Sequence, residues 1–237
     1  MENHEELLYW IALRSVRGIG NLGFLSLLES FKSPREAFLA SYEELIAVPG
    51  IGSKTASHIK SFQNWRKSEQ ELNQLNSLKI NVITFHDEGY PDLLKNIYDY
   101  PPLLYVKGTL SGEDLNIALV GSRMASTYGL YTTERLSREL ALNGITVVSG
   151  MARGIDSAAH RGALAGRGRT LADLGCGLDI IYPPENKNLY EEITASGAVI
   201  SEFAPGTPPN ASNFPLRNRI ISGLSLGVGV VEANERS

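Results

Sequence analysis

The stretch VVSGMARGIDSAAHRGAL, Val147 to Leu164, carries an apolar run through a glycine-rich corner into a helical pattern. Such a corner, with Arg153 in it and His160 and Arg161 just beyond, marks the carboxyl end of a buried parallel strand. The same alternation surrounds it. IALV leads to GSRMASTYG and a helical pattern from Tyr128 to Asn143, and ITVVSG leads into the quoted helix. TLADLG, KNLYEEITAS, AVISEF, FPLRNRIISGLS and VGVVEA follow in turn. Short apolar runs alternating with helices predict an α/β fold, a Rossmann-like, doubly wound and mainly parallel sheet. Ligands of such sheets sit outside the carboxyl ends of the strands, where the strand order reverses.

That rule gathers the candidate site. Gly121, Ser122 and Arg123 follow the first strand; Ser149, Gly150, Arg153 and Gly154 follow the second. Ser201 and Glu202 follow the fourth, and a long loop then leads to Asn213, Phe214, Arg217, Asn218 and Arg219. Glycines and small hydroxyls opening onto helix N-termini expose amides to anions. Arginines add charge and bidentate hydrogen bonds suited to phosphate. Arg169, just before the third strand, belongs to the opposite rim unless its loop folds back. The pattern reads as a polyanion groove with no catalytic residue.

Ahead of this core, residues 1–78 read as a small all-α domain of helix-hairpin-helix or sterile-alpha-motif-like kind, and 79–237 as an extended Rossmann-like DNA-binding domain. PGIGSKTASHI, Pro49 to Ile59, lies between two helical segments, and Gly18-Ile19-Gly20 repeats the Gly50-Ile51-Gly52 theme upstream. Duplicated hairpins predict a five-helix module. Gly50 and Gly52 either free amides for a phosphate or serve as packing turns. GIGNLG fits a dinucleotide fingerprint and GIGSKT resembles a P-loop, but no strand leads into either, so both fail. Between the domains, INVITF and PPLLYVKG predict extra strands on the second, and Tyr98, Tyr100 and Tyr105 read as packing residues beside prolines.

Bulk properties narrow the classes. The chain has 237 residues, 43% hydrophobic and 20% charged, with a formal net charge of −4. No apolar run approaches the ~20 residues a membrane span needs, and the start MENHEELLYW is no secretory signal. One cysteine, Cys176, excludes a disulfide framework and fits the reducing cytoplasm. Four scattered histidines offer no metal-ligand spacing and no cofactor fingerprint holds. Asp156 and His160 are one turn apart and face each other, or else Asp156 caps its helix and His160 packs on the sheet. Cys176 in LGCGLD reads as a small turn residue.

VGSRMASTYG, VVSGMARGIDSAAHRGAL, LDIIYPPEN, SEFAPGTPP and NFPLRNRIISGLSLGVGVVEANERS together resemble the DNA-processing protein A family, also called Smf, from about Asp87 onward. The resemblance implies a single-stranded-DNA-binding recombination mediator of natural transformation. Such a protein protects incoming strands and loads RecA recombinase, without cofactor or turnover. Position by position it implies phosphate contacts at Gly121-Ser122-Arg123, at Ser149 to Asp156 and at Arg169, base stacking by Phe214, and DNA contact at Arg217 and Arg219. Three departures stand out: Asp173 where the family is apolar, Asn210 and Ala211 where some members carry lysine, and an ending at Ser237 before the family's next helix. An ending there leaves Val228, Val230 and Val231 partly exposed, and weakens the homodimer implied for the full-length family. The rival readings are a nucleotide-processing enzyme similar to phosphoribohydrolases of the same superfamily, and a non-functional fragment.

Overall fold

The structure, a computed structural model, describes residues 2–233, with side chains from 4 onward. It divides into two compact units: residues 1–79 with 99–103, and residues 80–98 with the chain from 104 on.

The first unit holds six helices among the described residues, α1 (Glu2–Ser15), α2 (Asn21–Phe31), α3 (Pro34–Leu39), α4 (Tyr42–Ala47), α5 (Ser53–Lys60) and α6 (Trp65–Leu78). The expected five become six because proline and serine punctuate 31–42. Ser33 caps α3 ahead of Pro34, and Ser41 with Glu44 forms a capping box for α4. Trp10 stacks on Phe24 at 5.3 Å over a core that includes Leu27, Leu45, Ile59 and Leu75. The two Gly-Ile-Gly turns face one another: His58 Nδ1 lies 2.8 Å from the Arg17 carbonyl.

The second unit is built on seven strands: β1 (Asn81–Thr84), β2 (Leu103–Gly108), β3 (Asn116–Gly121), β4 (Thr146–Ser149), β5 (Thr170–Asp173), β6 (Ala198–Ser201) and β7 (Gly227–Val231). Their order is β1-β2-β6-β5-β4-β3-β7. β3, β4, β5, β6 and β7 pair in parallel, while β2 runs antiparallel to β6 with Tyr105 opposite Ser201. The strands predicted in INVITF and PPLLYVKG therefore extend the sheet at the β6 edge. Helices α7 (Thr127–Leu142), α8 (Ile155–Ala165), α9 (Lys187–Ser196) and α10 (Asn213–Gly223) make the crossovers.

Right-handed crossovers carry the chain one way from β3 to β6 with α7, α8 and α9 on one face. The return from β6 past β3 to β7 puts α10 on the other. The order reverses between β3 and β7, so the crevice lies at their carboxyl ends. Val147, Val148, Leu171, Ala172, Val199 and Ile200 are fully buried at the centre of this sheet. Val228 and Val230 on β7 are exposed and Val231 is half-buried. No helix among the described residues is long and apolar enough to cross a membrane.

Candidate nucleic-acid interface

Two glycines set the floor of the crevice. Gly150 directly follows β4, and a methyl there would overlap the Arg217 guanidinium lying across it. Gly154 has φ +74° and presses on the Ser122 carbonyl, which accepts the Ile155 amide at 3.1 Å. Only a residue without Cβ takes that conformation at that distance. The Asn213 amide group donates to the Gly175 carbonyl at 3.0 Å, pinning the start of α10 over the end of β5. Phe214 and Asn218 then fall one turn apart at the rim.

At that rim Arg123 lays its guanidinium on the Phe214 ring, 5.2 Å from the centroid. Tyr182 stands 5.8 Å from Phe214, its ring tilted by 37°. Arg123, Tyr182, Phe214, Pro209 and Asn218 line an open groove of about 360 Å³. Tyr182 was missed at the sequence level. Its signal was its place beside the paired prolines of IYPPEN, in a bend of the loop after β5.

The other arginines meet different fates. Arg153 is held by Glu185, Nη2 to Oε2 at 3.1 Å, although its side chain stays half exposed. That hydrogen bond holds the guanidinium above and the carboxyl below their usual ranges. Arg219 pairs with Glu202. Arg217 is buried and donates to the Asp173 main-chain carbonyl, while its Nε has no hydrogen-bond partner. Arg169 precedes β5 at the amino-end rim, bonded to Asp114 at 3.0 Å and to the Thr109 carbonyl at 2.8 Å. It does not join the cluster. Arg123 has no ion pair among the described residues, so its positive charge faces the groove.

Two expectations need correction. The free amides at the helix starts are occupied: the Glu232 carboxylate takes the Ser126 amide at 2.7 Å, and Asp156 takes the Ala152 amide at 3.4 Å. Carboxylates of the chain itself thus sit at these two amides. Ser149 is likewise turned inward, donating its hydroxyl to the Leu119 carbonyl at 2.6 Å. Ser122 accepts the Met124 amide at 3.1 Å and shapes the turn that presents Arg123.

The titratable groups offer little chemistry. His160 does not face Asp156; its Nδ1 lies 2.7 Å from Thr170 Oγ1, and burial, aided by Arg217, brings its pKa down to about 3. Burial raises the Cys176 thiol to about 11, so it stays protonated. Asp156 and Asp173 are both raised by burial, with Arg217 opposing. Among the described residues no group of three or more His, Cys, Asp or Glu side chains is placed to hold a metal ion.

Comparison with known proteins fits this geometry. The family profile for DNA recombination-mediator protein A matches residues 81–237, and that for the helix-hairpin-helix motif matches 33–62. Protein Smf of Synechocystis sp. is 39% identical over 242 residues, covering 100% of this chain and 61% of that protein. DNA processing protein A of Streptococcus pneumoniae, a solved structure, superposes with a TM-score of 0.82 at 34% identity, covering 97% of this chain and 79% of that one. DNA processing protein A of Helicobacter pylori, solved for its single-stranded DNA binding mode, gives a TM-score of 0.60 at 31% identity over 67% of this chain and 72% of that one. The chain spans roughly half to three-fifths of the length of most curated relatives it matches. With the strand order, the Gly-Ser-Arg corner and the α10 rim all in place, the chain belongs to the DNA recombination-mediator protein A family.

Proposed function

We propose that this chain binds single-stranded DNA along the Arg123–Phe214 rim and serves as a recombination mediator, protecting strands and handing them to a RecA-type recombinase. The observation that carries the reading is an arginine without an acidic partner laid on an aromatic ring at the mouth of the crevice. A guanidinium so placed keeps its in-plane N–H groups for phosphate, and Phe214 and Tyr182 offer faces on which bases of any sequence stack. Asn218 and the half-exposed Arg153 extend the contact. Gly121, Ser122, Gly150 and Gly154 shape it, with buried Arg217 and half-buried Arg219 as its support. The Helicobacter pylori relative, described for single-stranded DNA binding, supports the same ligand. The chain acts in this reading without cofactor or turnover, in the cytoplasm. The phosphoribohydrolase-like alternative needs a glycine-rich PGGxGT loop followed by a catalytic glutamate, and nothing in the sequence matches that loop.

The test is a salt titration of binding to a poly-dT strand beside duplex of equal length. Single strands are expected to bind more tightly, because only unpaired bases reach the rings. Arg123→Ala should weaken all sequences alike and flatten the salt slope by about 0.7–1, the mark of one lost phosphate contact. Phe214→Ala should cost about 1–3 kcal/mol of affinity with the slope unchanged. Equal affinity for strand and duplex, or an Arg123→Ala effect confined to certain base compositions, would overturn the reading.

A further inference from the structure

Carboxylates hold three of the arginines described above, and one of those pairs differs from the other two. Glu202, on Arg219, and Asp114, on Arg169, leave only 12% and 10% of their side chains exposed. Arg153 and Glu185 are 56% and 53% exposed. A pair so open to water contributes little to folding stability. Its place is at the strand groove, where Arg153 lines a small recess together with Arg123, Tyr182 and Phe214.

The loop after β5 fixes Glu185 at that spot. Buried Asn186 donates to the Met151 carbonyl and to the Ser157 hydroxyl, at 2.9 Å each. These bonds fasten the turn Pro184–Asn186 to the chain on either side of Arg153. The same loop brings Tyr182 to Phe214. With the main chain pinned beside both residues, exchange of partners is left to their exposed side chains. Glu185 meets the guanidinium in two parallel bonds, from Nε to Oε1 and from Nη2 to Oε2, the second at 3.1 Å. A phosphate presents two oxygens to an arginine in the same way. The carboxylate therefore occupies Arg153 as a phosphate would, while Arg123 beside it has no ion pair among the described residues.

We propose that Glu185 is an intramolecular phosphate mimic that gates Arg153: a strand engages Arg153 only by displacing Glu185, and Glu185 recaptures the guanidinium as the strand leaves. The proposal rests on the reading of the Arg123–Phe214 rim as the strand site and adds the regulation of that site. Exchange at Arg153 leaves a free carboxylate beside the strand, so this contact adds little net affinity. It makes one grip reversible while Arg123 and the rings keep theirs, which suits a protein that must give its strand up.

The experiment is a double-mutant cycle on the whole chain, with Glu185→Gln, Arg153→Ala and the two combined. It reads poly-dT affinity over a range of salt and the rate of dissociation into excess competitor strand. Glu185→Gln keeps the shape of the side chain and should tighten binding about tenfold and slow dissociation, as a freed charged donor takes a phosphate. It should also steepen the salt slope by about 0.7, one more phosphate met by an unpaired arginine. Arg153→Ala alone should stay within about threefold of wild type, since it removes an exposed pair as a whole. Added to Glu185→Gln it should erase the entire gain. Glu185→Ala repeats the test with a second side chain and the same expected signs. Weaker binding in both Glu185 variants overturns the proposal, because Glu185 would then be holding Arg153 in its binding position. Unchanged binding overturns it as well. So does an equal gain with and without Arg153, which is plain repulsion between carboxylate and strand. Equal wild-type affinity for strand and duplex is a separate outcome and overturns the strand-binding reading instead.

Discussion

Replacing Asp173 by valine should stabilise the sheet unit, and the structure sets the size of the gain. Asp173 closes β5 with its side chain fully buried, and neither carboxyl oxygen has a hydrogen-bond partner. Arg217 is near enough to be felt, but its guanidinium donates to the main-chain carbonyl of Asp173, so the charge has no paired neighbour. Burial holds this carboxyl well above the usual range; Arg217 opposes that, Glu202 adds to it and Arg219 opposes. Valine keeps the shape of the strand position, removes the orphaned group and adds buried methyl surface. An unsatisfied buried polar group costs about 1–3 kcal/mol and more when charged, so the gain is about 3 kcal/mol. At about 2–4 °C per kcal/mol for a chain of this size, the melting temperature rises by about 6–12 °C. The sign with pH follows from the raised folded value. The cost is fully present above the folded pKa and fades as pH falls through it toward the unfolded 3.8. Thermal and urea unfolding of both proteins at pH 8 and pH 4, followed by circular dichroism, measures this directly. A variant no more stable than wild type at pH 8 would mean that Asp173 and Arg217 act as a stabilising ion pair, and a gap of equal size at both pH values would mean that the buried carboxyl does not change charge between them; either result would sink the reasoning.

Arg169→Ala should leave strand affinity within twofold and cost less than about 1 kcal/mol of stability, since its partly exposed pair with Asp114 lies at the far rim. A large loss of DNA affinity would bring Arg169 back into the interface. Gly150→Ala should cost about 1–3 kcal/mol in urea unfolding because the new methyl drives into Arg217, and unchanged stability would show that the guanidinium moves aside freely. His160 is neutral in the fold, with a value of about 3 against 6.5 unfolded. Its stabilising contribution is therefore present above pH 6.5 and lost below it, at about 1.4 kcal/mol per pH unit. His160→Asn keeps a donor for Thr170 and should flatten that acid slope between pH 6 and 4; an unaltered slope would assign it to other groups.

The sequence alone determined the kind of fold. Apolar runs such as IALV, TVVS and AVIS, each a strand long and punctuated by glycine or serine, alternate with helical stretches, and local pattern suffices to make that a parallel sheet. It also placed Gly121, Ser122, Arg123 and Phe214 at strand ends or a helix start, because chain order fixes which residue follows which strand. The Gly-Ile-Gly turns were legible for the same reason. The number of helices was not, since the 33–47 segment is governed by two short caps.

Which arginine is available to a ligand was decided only by the tertiary structure. The groups that neutralise or occupy the site come from afar: Glu185 reaches Arg153 across 32 positions, Asp114 reaches Arg169 across 55, and Glu232 reaches Ser126 across 106. Nothing in the local text of ARGID or GRGRT distinguishes those arginines from Arg123. A guanidinium's freedom depends on what other charge lies within a few ångströms of it, and a residue's neighbours in space are set by strand order and crossover direction, which no short window of sequence contains. The same holds for Tyr182, brought to Phe214 from another loop, and for the crevice between β3 and β7, which exists only because the chain turns back after β6.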